Sequence, residues 1–220
     1  MFKSQKHVFW EALIITVAIF SLGIFVGILL ENSRISEINS LAQKSEIDLL
    51  DIKLQNEIYL KGEFDCEKAV EENLRFADRT YEEAKILDRY EGASRLSQDL
   101  VIQHQKYDIL RATLFLNSIM IKEKCSKDYY EVVYFYKYNE PSLDIEARQA
   151  TFSKLLTQLK EEKGAEVLLI PIAADNDISS INLLLDKYDV SLDNLPVILI
   201  NREDKVTELQ TLEDLKKYFE

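Results

Sequence analysis

The stretch Glu131-Val132-Val133-Tyr134-Phe135-Tyr136-Lys137-Tyr138-Asn139-Glu140-Pro141-Ser142, with the run that follows it to Ile172, decides the fold. Val132 to Tyr136 is β-branched and aromatic, the composition of a buried strand, and Glu166-Val167-Leu168-Leu169-Ile170-Pro171-Ile172 is a second strand of the same kind. Between them Ala147, Phe152, Leu155, Leu156 and Leu159 recur at helical spacing from Leu143 to Lys163, and Gly164 supplies the stop. Strand, helix and strand make a βαβ unit, so the two strands should lie parallel.

Downstream, the pattern predicts a helix from Ser179 to Tyr188, a strand Val197 to Ile200, a polar turn Asn201-Arg202-Glu203-Asp204, a strand Lys205 to Leu209 and a last helix Leu212 to Phe219. The order over 129–220 is βαβαββα. A parallel pair followed by an antiparallel hairpin gives an α/β domain with a four-stranded mixed sheet and helices on both faces.

Three features carry a resemblance to a known family. They are the element order, the aromatic first strand ending in Tyr138-Asn139-Glu140-Pro141-Ser142 before a long helix, and Asp193-Asn194-Leu195-Pro196-Val197 leading into the third strand. Over roughly its last ninety residues the chain resembles the thioredoxin-like superfamily. The resemblance implies that Pro196 is cis and faces the loop before the long helix, where the backbone ahead of the proline pairs with an extended peptide. Leu195 and Pro196 would then form one wall of a peptide groove and Asn139 to Ser142 the other, with Tyr136 and Tyr138 as aromatic contacts.

The chain departs from the family where redox chemistry would occur. Disulfide exchange needs a nucleophilic thiolate and a resolving thiol two residues away, and Asn139 and Ser142 stand at those places. An amide is no nucleophile, and a serine hydroxyl needs a base that no local motif around His7 or His104 supplies. HExxH, P-loop and GxSxG motifs and metal-spaced Cys/His clusters do not occur. Asp175 and Asp177 suggest either a cation site or, more simply, a solvated, helix-capping acidic loop. The chain therefore reads as a non-enzyme, with no catalytic residue, metal or cofactor expected.

Upstream, residues 61–128 read as an antiparallel helical hairpin. Ala69, Leu74, Ala77, Tyr81, Ala84 and Leu87 recur in one arm and Leu96, Leu100, Tyr107, Leu110, Leu114 and Ile121 in the other, separated by Glu91-Gly92-Ala93-Ser94. Cys66 and Cys125 are placed symmetrically about that turn, so folding brings them level. In an oxidising compartment they would form a disulfide; two unpaired buried thiols are the alternative. Redox catalysis by the pair is disfavoured, because Cys125 falls at a helix C-terminus, where the dipole opposes thiolate formation.

Residues 31–60 contain no Gly or Pro and read as a helical stalk. A heptad frame puts Ile35, Ala42, Leu49 and Asn56 at a and Ile38, Ser45, Ile52 and Tyr59 at d. The frame suits either a parallel homodimer, aided by the GxxxG spacing of Gly23 and Gly27, or a helix packed on its own domain.

Ahead of the stalk, residues 12–30 run ALIITVAIFSLGIFVGILL without a charge, enough to cross roughly 28 Å of hydrocarbon as one transmembrane helix. A removable signal peptide would have a shorter apolar core, and Gly27-Ile28-Leu29 before Leu30-Glu31 makes a poor cleavage site; a buried core helix would have a polar face, where here only Thr16 and Ser21 interrupt. Lys3 and Lys6 precede the span while Arg34 and Lys44 follow it, so residues 1–11 should be cytoplasmic and 31–220 extracytoplasmic, in the cell membrane, with Trp10 at the interface. Residues 1–30 carry +1, so the remainder carries −13 of the chain's −12. That excess of acid excludes nucleic acid as a partner. The reading is a single-pass protein whose redox-inactive domain binds another polypeptide, as a chaperone or scaffold. A thiol-disulfide oxidoreductase using Cys66 and Cys125 and a structural envelope spacer are the alternatives.

Overall fold

The computed structural model describes residues 5–88, 97–125 and 129–219. The expected turn at 91–94, together with Lys3 and Leu96, lies outside the described residues.

Helix α1, Gln5–Lys61, runs unbroken for 57 residues, as expected of a segment without proline whose only glycines are Gly23 and Gly27. From His7 to Leu30 every side chain is exposed. This helix is long and apolar enough to cross a membrane, with a mean hydropathy of 2.8 in its most apolar window. It ends at Gly62, whose N–H donates to Ile58 O at 3.0 Å. Three residues on, the Asp65 carboxylate accepts from the N–H groups of Glu67 and Lys68 and caps α2, Cys66–Asp88.

The chain divides into two compact units, Met1–Lys44 and Ser45–Glu220. Among the described residues, the first holds the part of α1 up to Lys44. The second takes in the rest of α1, the helical arms and the sheet. There Ser45, Ile52 and Tyr59, the d positions of the heptad frame, are buried. Asn56 Nδ2 donates to Asn117 Oδ1 at 2.6 Å, and Asp48 pairs with Arg79 at 2.8 Å. Within 45–61 this frame is occupied by packing inside the chain's own unit.

Helix α2 and α3, Ser97–Cys125, are antiparallel arms. Cys66 at the start of one and Cys125 at the end of the other are at disulfide-bonding distance, Sγ–Sγ 2.04 Å and Cα–Cα 5.5 Å. Farther along, Tyr107 donates to Glu83 Oε2 at 3.2 Å. Burial and the neighbouring Glu83 carboxylate push the Tyr107 phenol well above its ordinary pKa.

The sheet follows in the order expected: β1 Tyr130–Tyr136, α4 Leu143–Lys163, β2 Val167–Ala173, α5 Ser179–Lys187, β3 Val197–Ile200, β4 Asp204–Val206 and α6 Leu212–Lys216. Spatially the strands run β2-β1-β3-β4. β1 is parallel to β2 in the register Val133↔Ile170 and antiparallel to β3 in the register Val133↔Leu199. β4 is shorter than the expected Lys205 to Leu209, because Thr207 O leaves the ladder to accept from Arg148 of α4. The last helix gives way to a 3-10 turn over Lys217–Phe219.

Alternation along β1 separates two faces. Val132 and Tyr134 join Phe152, Leu156 and Leu159 of α4 and Leu215 of α6 in one core. Val133 and Phe135 point to the opposite face, which α3 covers; α5 packs against α3, with Phe115 against Tyr188 at 5.7 Å between ring centroids. The hairpin arm α3 is thus one of the sheet's covering helices.

Candidate functional site

β1 ends at Tyr136 and β3 begins at Val197, which pairs with Phe135. One step further along that register sets Pro196 across from Tyr136, so the loop 137–142 leaves the sheet beside the proline. The Leu195–Pro196 peptide bond is cis. Both residues are buried, Leu195 to 2% exposure, so the Leu195 side chain belongs to the core rather than to an open wall. Asn139 and Pro141 are exposed, and Tyr136, Tyr138, Glu140 and Ser142 are half-buried.

The loop is fixed by side chains that reach it from several elements. Gln149 of α4 clamps its start, accepting from Lys137 N–H at 2.7 Å and donating to Lys137 O at 3.1 Å. Asp175, after β2, accepts from Tyr138 N–H at 2.7 Å with one oxygen and from Asn139 N–H at 2.9 Å with the other. Glu140 accepts from Ser142 N–H at 2.9 Å and pairs with Lys137 at 3.2 Å. The N–H bond and the lysine hold its carboxyl below the ordinary carboxylate range. The Tyr138 ring lies on His104 of α3 at 4.1 Å, and Tyr136 stacks on Tyr134 at 5.5 Å.

α3 also sets the position of the clamp itself. Asp108, fully buried, accepts from Ala173 N–H at 3.0 Å and Asn176 Nδ2 at 2.8 Å, the residues either side of the Ala174-Asp175 pair, and faces Arg111 at 3.5 Å. Burial raises the Asp108 carboxyl, against the pull of Arg111 and of both donors. Gln105 Nε2 adds a bond to Asn176 O at 3.2 Å. The sequence offered one sign of this junction: His104, Asp108 and Arg111 recur at helical spacing on a face shared with apolar residues. Their destination could not be read locally.

Asp177 is solvent-exposed, as expected of an acidic loop, while Asp175 has another use. Asp175 holds the loop after β1. Asp177, at φ 50°, accepts from Asn182 Nδ2 at 3.3 Å, and the N-cap of α5 is Ile178. Among the described residues no group of three or more His, Cys, Asp or Glu side chains is arranged to hold a metal. Beside the clamp an open hollow of about 680 Å³ is rimmed by Asp175, Asp177, Asp186 and Asp193.

The cysteine pair stands far from this loop. His104, which touches it, is twenty-one residues before Cys125 on α3, roughly 31 Å along the helix.

The chain is therefore of a class defined by coarse features: an apolar helix long enough to span a membrane, continuing into a helical and mixed-sheet unit. Comparison with known proteins returns no matching family, no matching curated protein and no matching solved structure.

Proposed function

We propose that the protein is a single-pass membrane protein with a thioredoxin-like, redox-inactive domain outside the cytoplasm that binds another polypeptide in extended form. The observation that carries this reading is the loop 137–142. Asp175, Gln149 and Glu140 hold its backbone in place while Asn139 and Pro141 remain exposed next to Pro196. A loop fixed in advance loses little entropy when a peptide settles against it, and the strand-like pairing itself falls to the backbone ahead of Pro196. The βαβαββα order and the strand order β2-β1-β3-β4 support the fold that the resemblance implies. The lysine bias across the span and a cysteine pair suited to an oxidising compartment support the placement. Cys125 ends α3, where the helix dipole opposes thiolate formation, and this favours a structural bridge over an oxidoreductase.

The test uses the full chain in lipid nanodiscs with a photocrosslinking side chain at Asn139 and, for comparison, at exposed Leu183 on α5. An unfolded polypeptide should crosslink at 139 and not at 183, and Asp175→Ala should weaken capture about tenfold by freeing two N–H groups of the loop. Equal labelling at both places would remove the groove from the function.

A further inference from the structure

The second half of α1 has two apolar faces, and its own unit covers one of them. Ser45, Ile52 and Tyr59 are buried, whereas Ile47, Leu50, Leu54 and Ile58 are 67%, 69%, 61% and 50% exposed. At 3.6 residues per turn the two sets are centred about 155° apart. A helix that only packs on its own domain needs a single apolar stripe.

We infer that the exposed stripe is a seam between two copies of this chain, lying parallel in one membrane. Ile47, Leu50 and Leu54 recur at intervals of three and then four residues, the spacing of knobs that fit a facing helix. Every copy anchored through 12–30 presents this stripe seventeen residues beyond Leu30, so neighbours in the same bilayer meet in register and parallel. Of the acids that flank the seam, Glu46 is engaged by Lys106 of its own unit at 2.9 Å and Asp51 accepts from Gln55 Nε2 at 2.8 Å. Area favours this occupant over a soluble one. Four such side chains offer on the order of 400 Å² per copy and 800 Å² in all, below the roughly 1,000 Å² that a stable soluble complex clears. Confinement to a bilayer raises the effective concentration enough for a small seam to hold. The inference rests on the membrane anchor of the proposed function and not on the peptide groove.

The full chain in lipid vesicles, carrying Leu54→Cys and treated with a short bismaleimide, should crosslink to itself more than about tenfold faster than Leu183→Cys, whose position on α5 is as exposed. In the double variant Leu50→Glu, Leu54→Glu, energy transfer between labelled copies should report an association constant lower by about a hundredfold. The near-UV circular dichroism of the unit should stay unchanged, since neither residue is buried. Equal crosslinking at 54 and 183, or single copies at every protein-to-lipid ratio, would overturn the seam and leave the anchor standing. Failure of the chain to float with the vesicles would remove both.

Discussion

Asp108→Ala tests the junction between the hairpin and the sheet. The substitution leaves Ala173 N–H and Asn176 Nδ2 without their buried acceptor and removes the carboxylate facing Arg111, whose side chain is 7% exposed. Each orphaned buried donor costs about 1–2 kcal/mol. An unpaired buried charge adds to that, although the 3.5 Å separation makes the ion pair the weaker part. Burial already raises the carboxyl, so part of the cost is returned when the carboxylate is removed. The net loss should be about 3 kcal/mol, which at a slope near 2 kcal/mol per molar lowers the urea midpoint by about 1.5 M. Asp108→Asn, which keeps one oxygen acceptor, should lose about half as much. The assay is near-UV circular dichroism of the full chain in detergent micelles, followed in the tyrosine band, because all eleven tyrosines lie beyond Ser45 whereas the single tryptophan, Trp10, adjoins the span. A second arm follows from linkage. The native state binds the Asp108 proton more tightly than the unfolded chain does. The stability it contributes is therefore complete below the ordinary carboxylate range and declines as pH rises through the raised value; Asp108→Asn should abolish that decline. A midpoint lowered by less than about 0.3 M in Asp108→Ala would show that the carboxylate does not hold this junction.

Two further outcomes are expected. Replacing Cys66 and Cys125 by Ser should lower stability by about 4 kcal/mol, the chain-entropy value for a bridge that closes a separation of 59 residues; capture at Asn139 should persist wherever the variant remains folded, and loss of capture in folded variant would tie the pair to function. Glu140 is held below the ordinary carboxylate range by Ser142 N–H and Lys137, so its contribution is present above that range and is lost as pH falls through the lowered value. Glu140→Gln should flatten this acid-side loss in a pH series of urea midpoints, and an unchanged slope would show that the loop bond contributes nothing.

Much of the architecture was legible because it is local. Alternation and β-branching from Val132 to Tyr136, helical spacing from Leu143 to Lys163 and the stop at Gly164 each act over a few residues, and the strands, the helix and their parallel pairing follow. The cysteines were legible for a similar reason, since a hairpin's symmetry relates positions equidistant from its turn. The site was less so. Residues 139–142, 195 and 196 could be singled out by their place in the chain, but Leu195 and Pro196 both proved buried. The groups that hold the loop, Asp175 and Gln149, are polar residues that look solvated until their partners are known.

The sequence by itself determined where the chain is apolar enough to cross a membrane, the order βαβαββα, and the absence of thiols at 139 and 142, all of which depend on composition and short-range periodicity. Only the tertiary structure decided that Ser45 to Lys61 packs into the domain, that α3 covers the sheet and positions Asp175 through Asp108, and which stripe of α1 stays exposed. Those outcomes depend on contacts between residues some sixty positions apart, such as Asn56 with Asn117 and Asp108 with Asn176. A helix with two apolar stripes cannot reveal locally which of them its own core will take.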